Sequence, residues 1–421
     1  MNRSASADSQ PVWRSPGMPA LLALTSAGFA GFAALMPIAP LWAVHGGADE
    51  AGAGLVNGVL LAATVATQPF VPRLLRRFGT GRVLAAGLVL LGLPSPFHLV
   101  SDGLGWILLL AVFRGAGFGI LTVTGSVAVA RLVRPARRGA AIGAYGAAIA
   151  VPQLLLMPAG PWLAATVGPW LVFLLGTLPL LGIGAAPQLA TALRARAVEA
   201  RTADPAHSAE AASSPPAHSA EAASSRSARR RYVLRGLAPP MVLLLAVTLA
   251  AGALITFVPQ MSTSPAAATL GLTILTASAA VTRWRLGALA DRFGPRRFMW
   301  PLVLLSAVGM VVTAAAVRDA SATDVVLLPV GMVLVGTAYG GLQNLTLLVS
   351  FAAVTSREYG TASAVWNIGF DAGTALGSVS VGLLAAGVSF PFALLAAAGV
   401  SLLTLPLALL RDPQPPQPIA Q

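Results

Sequence analysis

A chain of 421 residues that is 56% hydrophobic and only 10% charged, with a mean hydropathy of +0.78, lacks the polar surface to coat a water-soluble globule of its size. The net charge of +13 is all arginine over acid, because there is no lysine, and it is scattered between apolar runs; that assigns it to membrane orientation and anionic headgroups and excludes nucleic acid as a partner. With no cysteine, and with two of the four histidines (His207 and His218, against His45 and His98) in a low-complexity stretch, neither a metal centre nor a cofactor site is expected.

Residues 1–17 form a polar tail. The apolar run 18–44 that follows is too long for a signal-peptide core and has no cleavage motif, so it reads as a retained first helix. Further runs, each close to the roughly 20 residues needed to cross a bilayer, cover 54–74, 83–100, 104–130, 139–167 and 169–190. After a break come 237–261, 266–281, 298–317, 325–354, 361–388 and 391–410. The expected organisation is a tail (1–17), a six-helix bundle (18–190), a disordered cytoplasmic linker (191–236), a second six-helix bundle (237–410) and a tail (411–421). The linker carries a tandem decapeptide, PAHSAEAASS, starting at Pro205 and again at Pro216. Its Ala, Ser, Pro and Glu cannot build a core. Its basic end (Arg229, Arg230, Arg231, Arg235) suits a headgroup layer.

Threading these spans puts all the arginines except Arg114 and Arg318 on one side or in that side's loops, while Asp49, Glu50, Asp102, Asp319 and Asp324 fall on the other. The positive-inside bias then places both termini in the cytoplasm. The all-α chain also repeats itself. PRLLRRFGTGR after the second span is echoed by GALADRFGPRR after the eighth, and their RFG triplets are 215 residues apart. Farther on, Arg137-Arg138-Gly139 and Glu358-Tyr359-Gly360 are offset by 221. Two copies of a six-helix unit in the same orientation are a transporter's construction, with a site between the halves.

Gly287, Asp291, Arg292, Gly294, Arg296 and Arg297 match G-x-x-x-D-R-x-G-x-R-R, and with them the chain resembles the major facilitator superfamily over essentially its whole ordered length. Arg114 with Gly115, Gly117 and Gly119 resembles the arginine-and-glycine motif of that family's proton-coupled drug and natural-product exporters. The resemblance implies that the first set is a conformational latch, with Asp291 against the start of the fifth span near Gly139. In the first copy Pro72 and Arg76 replace the glycine and the aspartate, so the latch is expected to be one-sided. The pairs Gly115/Gly119, Gly139/Gly143, Gly336/Gly340 and Gly373/Gly377 also fit close helix packing in lipid.

Two ionisable residues lie near mid-membrane, Arg114 in span four and Asp371 in span eleven, and a charge there must face protein or water. Both are proton-coupling candidates, and a structural ion pair is the alternative. Asn367, one turn before Asp371, is placed to hydrogen-bond it. The resemblance makes spans one, four, seven and ten cavity-lining, so Gln343, Asn344 and Arg114, followed by Trp366 and Asn367, are the substrate candidates. Asn57, Gln68, Gln153 and Gln260 are further polar residues inside spans. The expected function is proton-coupled efflux of a small apolar organic compound by a monomeric transporter in a bacterial cytoplasmic membrane, with protons and lipid as its other partners. A nutrient importer or uncoupled facilitator is the alternative. No HExxH, G-x-S-x-G or P-loop pattern marks an enzyme.

Overall fold

The structure, a computed structural model, describes residues 12–133, 137–203, 220–319, 321–355 and 358–409. Among these every regular element is helical, and twelve helices are long and apolar enough to cross a membrane. They are α1 (Met18–His45), α2 (Glu50–Phe78), α3 (Thr80–Leu99), α4 (Leu104–Val129), α5 (Ala140–Thr166), α6 (Pro169–Glu199), α7 (Arg235–Met261), α8 (Pro265–Gly287), α9 (Arg296–Ala316), α10 (Leu327–Ala352), α11 (Thr361–Gly387) and α12 (Phe390–Leu409).

Two expectations need correction. Helix continues beyond α6 to Ala203 and begins again at Ala220 ahead of α7, so both flanks of the segment expected to be disordered are helical. Alanine, arginine and glutamate are strong helix formers even where they cannot make a core. Residues 204–219 lie outside the described residues. The helix of α8 also runs on to Phe293, past the expected end at residue 281, because Arg283 and Arg285 interrupt the hydropathy without interrupting the helix.

The repeat has a local physical basis. Both RFG triplets end a helix on a glycine in the left-handed region, Gly79 at φ 82° and Gly294 at φ 81°, which a side chain would strain. In both, the arginine lies over the phenylalanine ring beside it, at 5.2 Å for Arg77 and 5.1 Å for Arg292. At their other ends, α2 is capped by the Asp49 carboxylate, which accepts from Gly52 N at 2.8 Å, and α8 by Ser264 Oγ, which accepts from Ala267 N at 3.1 Å.

Packing repeats as well. In the first half α1 packs on α5, α2 on α4, and α3 on α4 and α6; in the second, α7 packs on α11, α8 on α10, and α9 on α10 and α12. A Cβ on Gly115 or Gly119 of α4 would meet the carbonyls of Leu60 and Thr64 of α2, at 2.0 and 2.8 Å. The same two offsets carry these to Gly336 and Gly340 of α10, whose Cβ atoms would meet Leu275 O and Ala279 O of α8, at 2.4 and 2.0 Å. These glycines let backbones touch where no side chain fits. Gly340→Ala is therefore expected to destabilise by about 1–3 kcal/mol. Gly143→Ala, whose Cβ would find nothing within 4 Å, should be neutral or slightly stabilising. Thermal unfolding of the two purified variants checks this, and equal melting temperatures would contradict it.

The halves meet along two seams, α2 with α11 and α5 with α8. The first seam is closed at the end where Asp49, Glu50 and Asp102 lie, called here the acidic end. A Cβ on Gly54 would sit 2.3 Å from Ser378 O, one on Gly382 2.5 Å from Glu50 O, and one on Gly58 2.3 Å from Val379 Cγ2.

Candidate functional site

Proline chemistry sets the first polar bridge between the halves. Pro40 has no N–H, which deprives the Met36 carbonyl of its helical partner where α1 breaks. Asn57 Nδ2 of α2 donates to that carbonyl at 2.8 Å and also to Thr256 Oγ1 of α7 at 2.9 Å. Thr256 Oγ1 lies 2.8 Å from Ser378 Oγ of α11. Asn57, Thr256 and Ser378 are almost wholly buried and form a polar seal on the acidic side of the molecule's centre.

The second bridge lies deeper. A 3₁₀ turn, Gln68–Phe70, interrupts α2 at Pro69, and such a turn inside a helix often marks a functional position. It presents the Gln68 carboxamide to α11, where Gln68 Nε2 donates to Asp371 Oδ2 at 2.8 Å. Asp371 is 4% exposed and Gln68 5%, so water scarcely reaches the contact. Next to them on α10, the Tyr339 phenol is within electrostatic reach of both Asp371 and the Arg283 guanidinium of α8, and contacts the Gln343 side chain. Gln68 and Arg283 both lie about 27 Å from the acidic ends of their helices, and Gln343 and Asp371 about 24 Å, so helices from both halves bring them to one level. Tyr339, Phe370 and Trp366 make an aromatic row beside this level, with ring centroids 6.1 and 5.6 Å apart.

The cluster breaks the internal symmetry. The offset that relates Phe78 to Phe293 carries Gln68 to Arg283, and the offset that relates Gly115 to Gly336 carries Asp371 back to Ala150. The seam formed by α2 and α11 thus holds an amide and an acid, while the equivalent positions on the other seam hold a cation and a methyl group.

Asp371 and Arg114 are kept apart. Arg114 is 1% exposed inside the first half, where its guanidinium donates to Gly31 O of α1 at 3.1 Å and to Leu91 O of α3 at 3.4 Å. It joins three helices of one bundle through backbone carbonyls. Asn367 does not reach Asp371 either, because its Nδ2 donates to Ser363 O at 2.8 Å. Asn344 Nδ2 donates to the Arg283 carbonyl at 2.9 Å and ties α10 to α8, and Trp366 Nε1 donates to Thr346 Oγ1 at 3.1 Å. Gln343 is buried in the central cluster. Arg283, expected in a cytoplasmic loop, belongs to the cluster instead. Its signal was the continuing helical pattern past residue 281, masked by two arginines within three residues. In the latch set, Gly287 lies against Asn344, where a Cβ would come 3.3 Å from Nδ2. Arg292 and Gly294 end the helix as described, Arg296 and Arg297 open α9, and the Asp291 side chain lies outside the described residues.

Twelve membrane-capable helices in two matching bundles, with a buried acid bridged from one bundle to the other, define a multi-pass membrane protein of the transporter class. A profile of the Major Facilitator Superfamily matches residues 21–282 and 240–420, and the chain belongs to that family. No curated protein sequence matches it. Among solved structures the fold is similar to the peptide transporter POT in complex with sulfate, at 16% identity and TM-score 0.69 over 97% of this chain and 98% of that one. It is similar to a bacterial homologue of the human lysosomal transporter Spinster, in an inward-facing and unoccupied conformation, at 16% identity and TM-score 0.70 over 95% and 97% of the two chains. A D-xylose–proton symporter is similar at 13% identity and TM-score 0.68 over 93% and 97%. At these identities the likeness is one of fold.

Proposed function

We propose that this transporter exports a small, mostly apolar organic compound from a bacterial cell in exchange for protons, by rocking its two halves about a central site. Both termini and the arginine-rich loops face the cytoplasm and the acidic end faces out, following the arginine bias. The observation that carries proton coupling is the buried Gln68–Asp371 contact between the halves. A carboxamide N–H donates equally well to a carboxylate or to the carbonyl oxygen of a carboxylic acid, so the contact accepts both protonation states of Asp371. No cation contacts the carboxylate among the described residues, so no ion pair has to break when Asp371 takes up a proton. Rocking the halves breaks this contact and changes which side of the membrane the carboxyl communicates with. Export as the direction rests on the likeness of Arg114, Gly115, Gly117 and Gly119 to the exporters' motif. The latch through Asp291, a monomeric state and a role for Arg114 in fixing the first bundle belong to the same proposal. The family is generally non-enzymatic, which supports transport over catalysis.

The absence of cysteine gives a clean background for testing alternating access. Ser378→Cys reports on the acidic-end seal and Ser363→Cys on the opposite side of the cluster. Imposing a pH gradient on vesicles is expected to move the two maleimide reactivities in opposite directions. Reactivities that stay fixed, or that rise and fall together, would rule out alternating access.

A further inference from the structure

Two buried donors in the cluster lack a well-formed acceptor. Gln343 is 2% exposed and its Nε2 has only the Tyr339 phenol beside it, too poorly aligned for a full hydrogen bond, and the shielded Nε of Arg283 makes no hydrogen bond at all. They flank the same phenol, Tyr339, and the Asn344 bond to the Arg283 carbonyl holds that turn of α8 in place against α10. Interiors leave few such donors unmade, because each unmade bond carries a free-energy cost that is larger for a charged group. Asp371 does not answer them, since the carboxylate oxygen with a partner takes it from Gln68. The aromatic row of Tyr339, Phe370 and Trp366 runs past the same level.

The geometry points to an organic monocarboxylate as the transported compound. Its carboxylate accepts from Arg283 Nε–H and Gln343 Nε2–H, and its apolar body lies along the aromatic row. This rests on the transport reading and narrows its substrate. A guanidinium and a carboxamide, both donors, match the two oxygens of a carboxylate, and an ionised partner makes the arginine bond charge-assisted. A protonated amine offers no acceptor here and meets a like charge at Arg283. A neutral amide supplies an acceptor but forgoes the charge. A polyanion finds one cation only among the cluster residues.

The full chain in nanodiscs is titrated with benzoate, phenylacetate and octanoate, and with their three amides, while thermal unfolding is followed. At least one carboxylate is expected to stabilise the protein saturably, and its amide to need about tenfold higher concentration or more. Arg283→Gln should erase that preference. Gln343→Leu, which leaves the charge untouched, should weaken the carboxylate several-fold and serves if the arginine variant does not fold. The assignment is overturned if no carboxylate stabilises the wild type, if the amides bind as well, or if both variants keep the preference. The labelling at Ser378→Cys and Ser363→Cys needs no ligand. A protein that passes there and fails here loses only the substrate class, whereas failure there removes transport itself.

Discussion

Asp371→Asn is expected to abolish gradient-driven flux while leaving counterflow exchange close to wild type. Asparagine has the shape of aspartate and still offers an oxygen to Gln68 Nε2, so the bridge between α2 and α11 survives. What disappears is the ability to take up and release a proton. An exchanger that returns loaded in both directions needs no change in protonation, whereas net antiport needs one every cycle. In proteoliposomes, accumulation of labelled substrate under an imposed pH gradient should fall to the equilibrated level. Exchange against unlabelled substrate, without a gradient, should continue. Gradient-driven accumulation in this variant would remove Asp371 as the carrier, and loss of both activities would mean that the residue acts in the rocking motion itself. Gln68→Leu separates these roles further. It removes the donor and leaves the acid, so it should shift the pH dependence of flux and not eliminate coupling.

The second large effect is expected at the acidic seal. The atoms that a Cβ on Gly54 would meet, Ser378 O and C and Phe257 Cζ, all belong to the opposite half. Gly54→Leu therefore drives a wedge between the halves and leaves the packing inside each bundle intact. Overpacking of about 1–3 kcal/mol acting on one conformation alone shifts its population about 5- to 150-fold. The protein should move toward the state open at the acidic end. Maleimide labelling of Ser378→Cys from that side should rise steeply in the Gly54→Leu background, and turnover should drop by about the same factor. Gly382→Ala, a smaller wedge against Glu50 O, should give a weaker version of both changes. Unaltered labelling together with normal turnover would show that the seal does not gate the cycle.

Much of this architecture was legible in the residue order. Spacing and hydropathy located the spans because the bilayer length is a hard constraint, and the glycine pairs of α4 and α10 could be read because close helix approach tolerates only small residues. The repeat offsets even match which carbonyls those glycines meet. The central cluster was less legible, for three separable reasons. Helical periodicity says which residues share a face but not which helix opposes it, so Asn367 looked like a partner for Asp371 while the actual donor, Gln68, lay on another bundle. Hydropathy windows end a span at the first charges, which hid Arg283 in an imagined loop. Arg114 sits at mid-membrane depth as Asp371 does, yet depth alone does not tell a charge at the seam from one sunk within a single bundle and satisfied by carbonyls.

Duplication by itself would leave the two seams chemically alike, since each copy would repeat the other around an axis along the membrane normal. The divergence at Gln68, Arg283, Ala150 and Asp371 is where that equivalence is lost. Placing the acid on one seam and the base on the other confines proton exchange to one of the two contacts, while the direction of net flux is left to the gradients. Swapping these four side chains between the copies is thus the smallest change that should make the stroke run on the other seam.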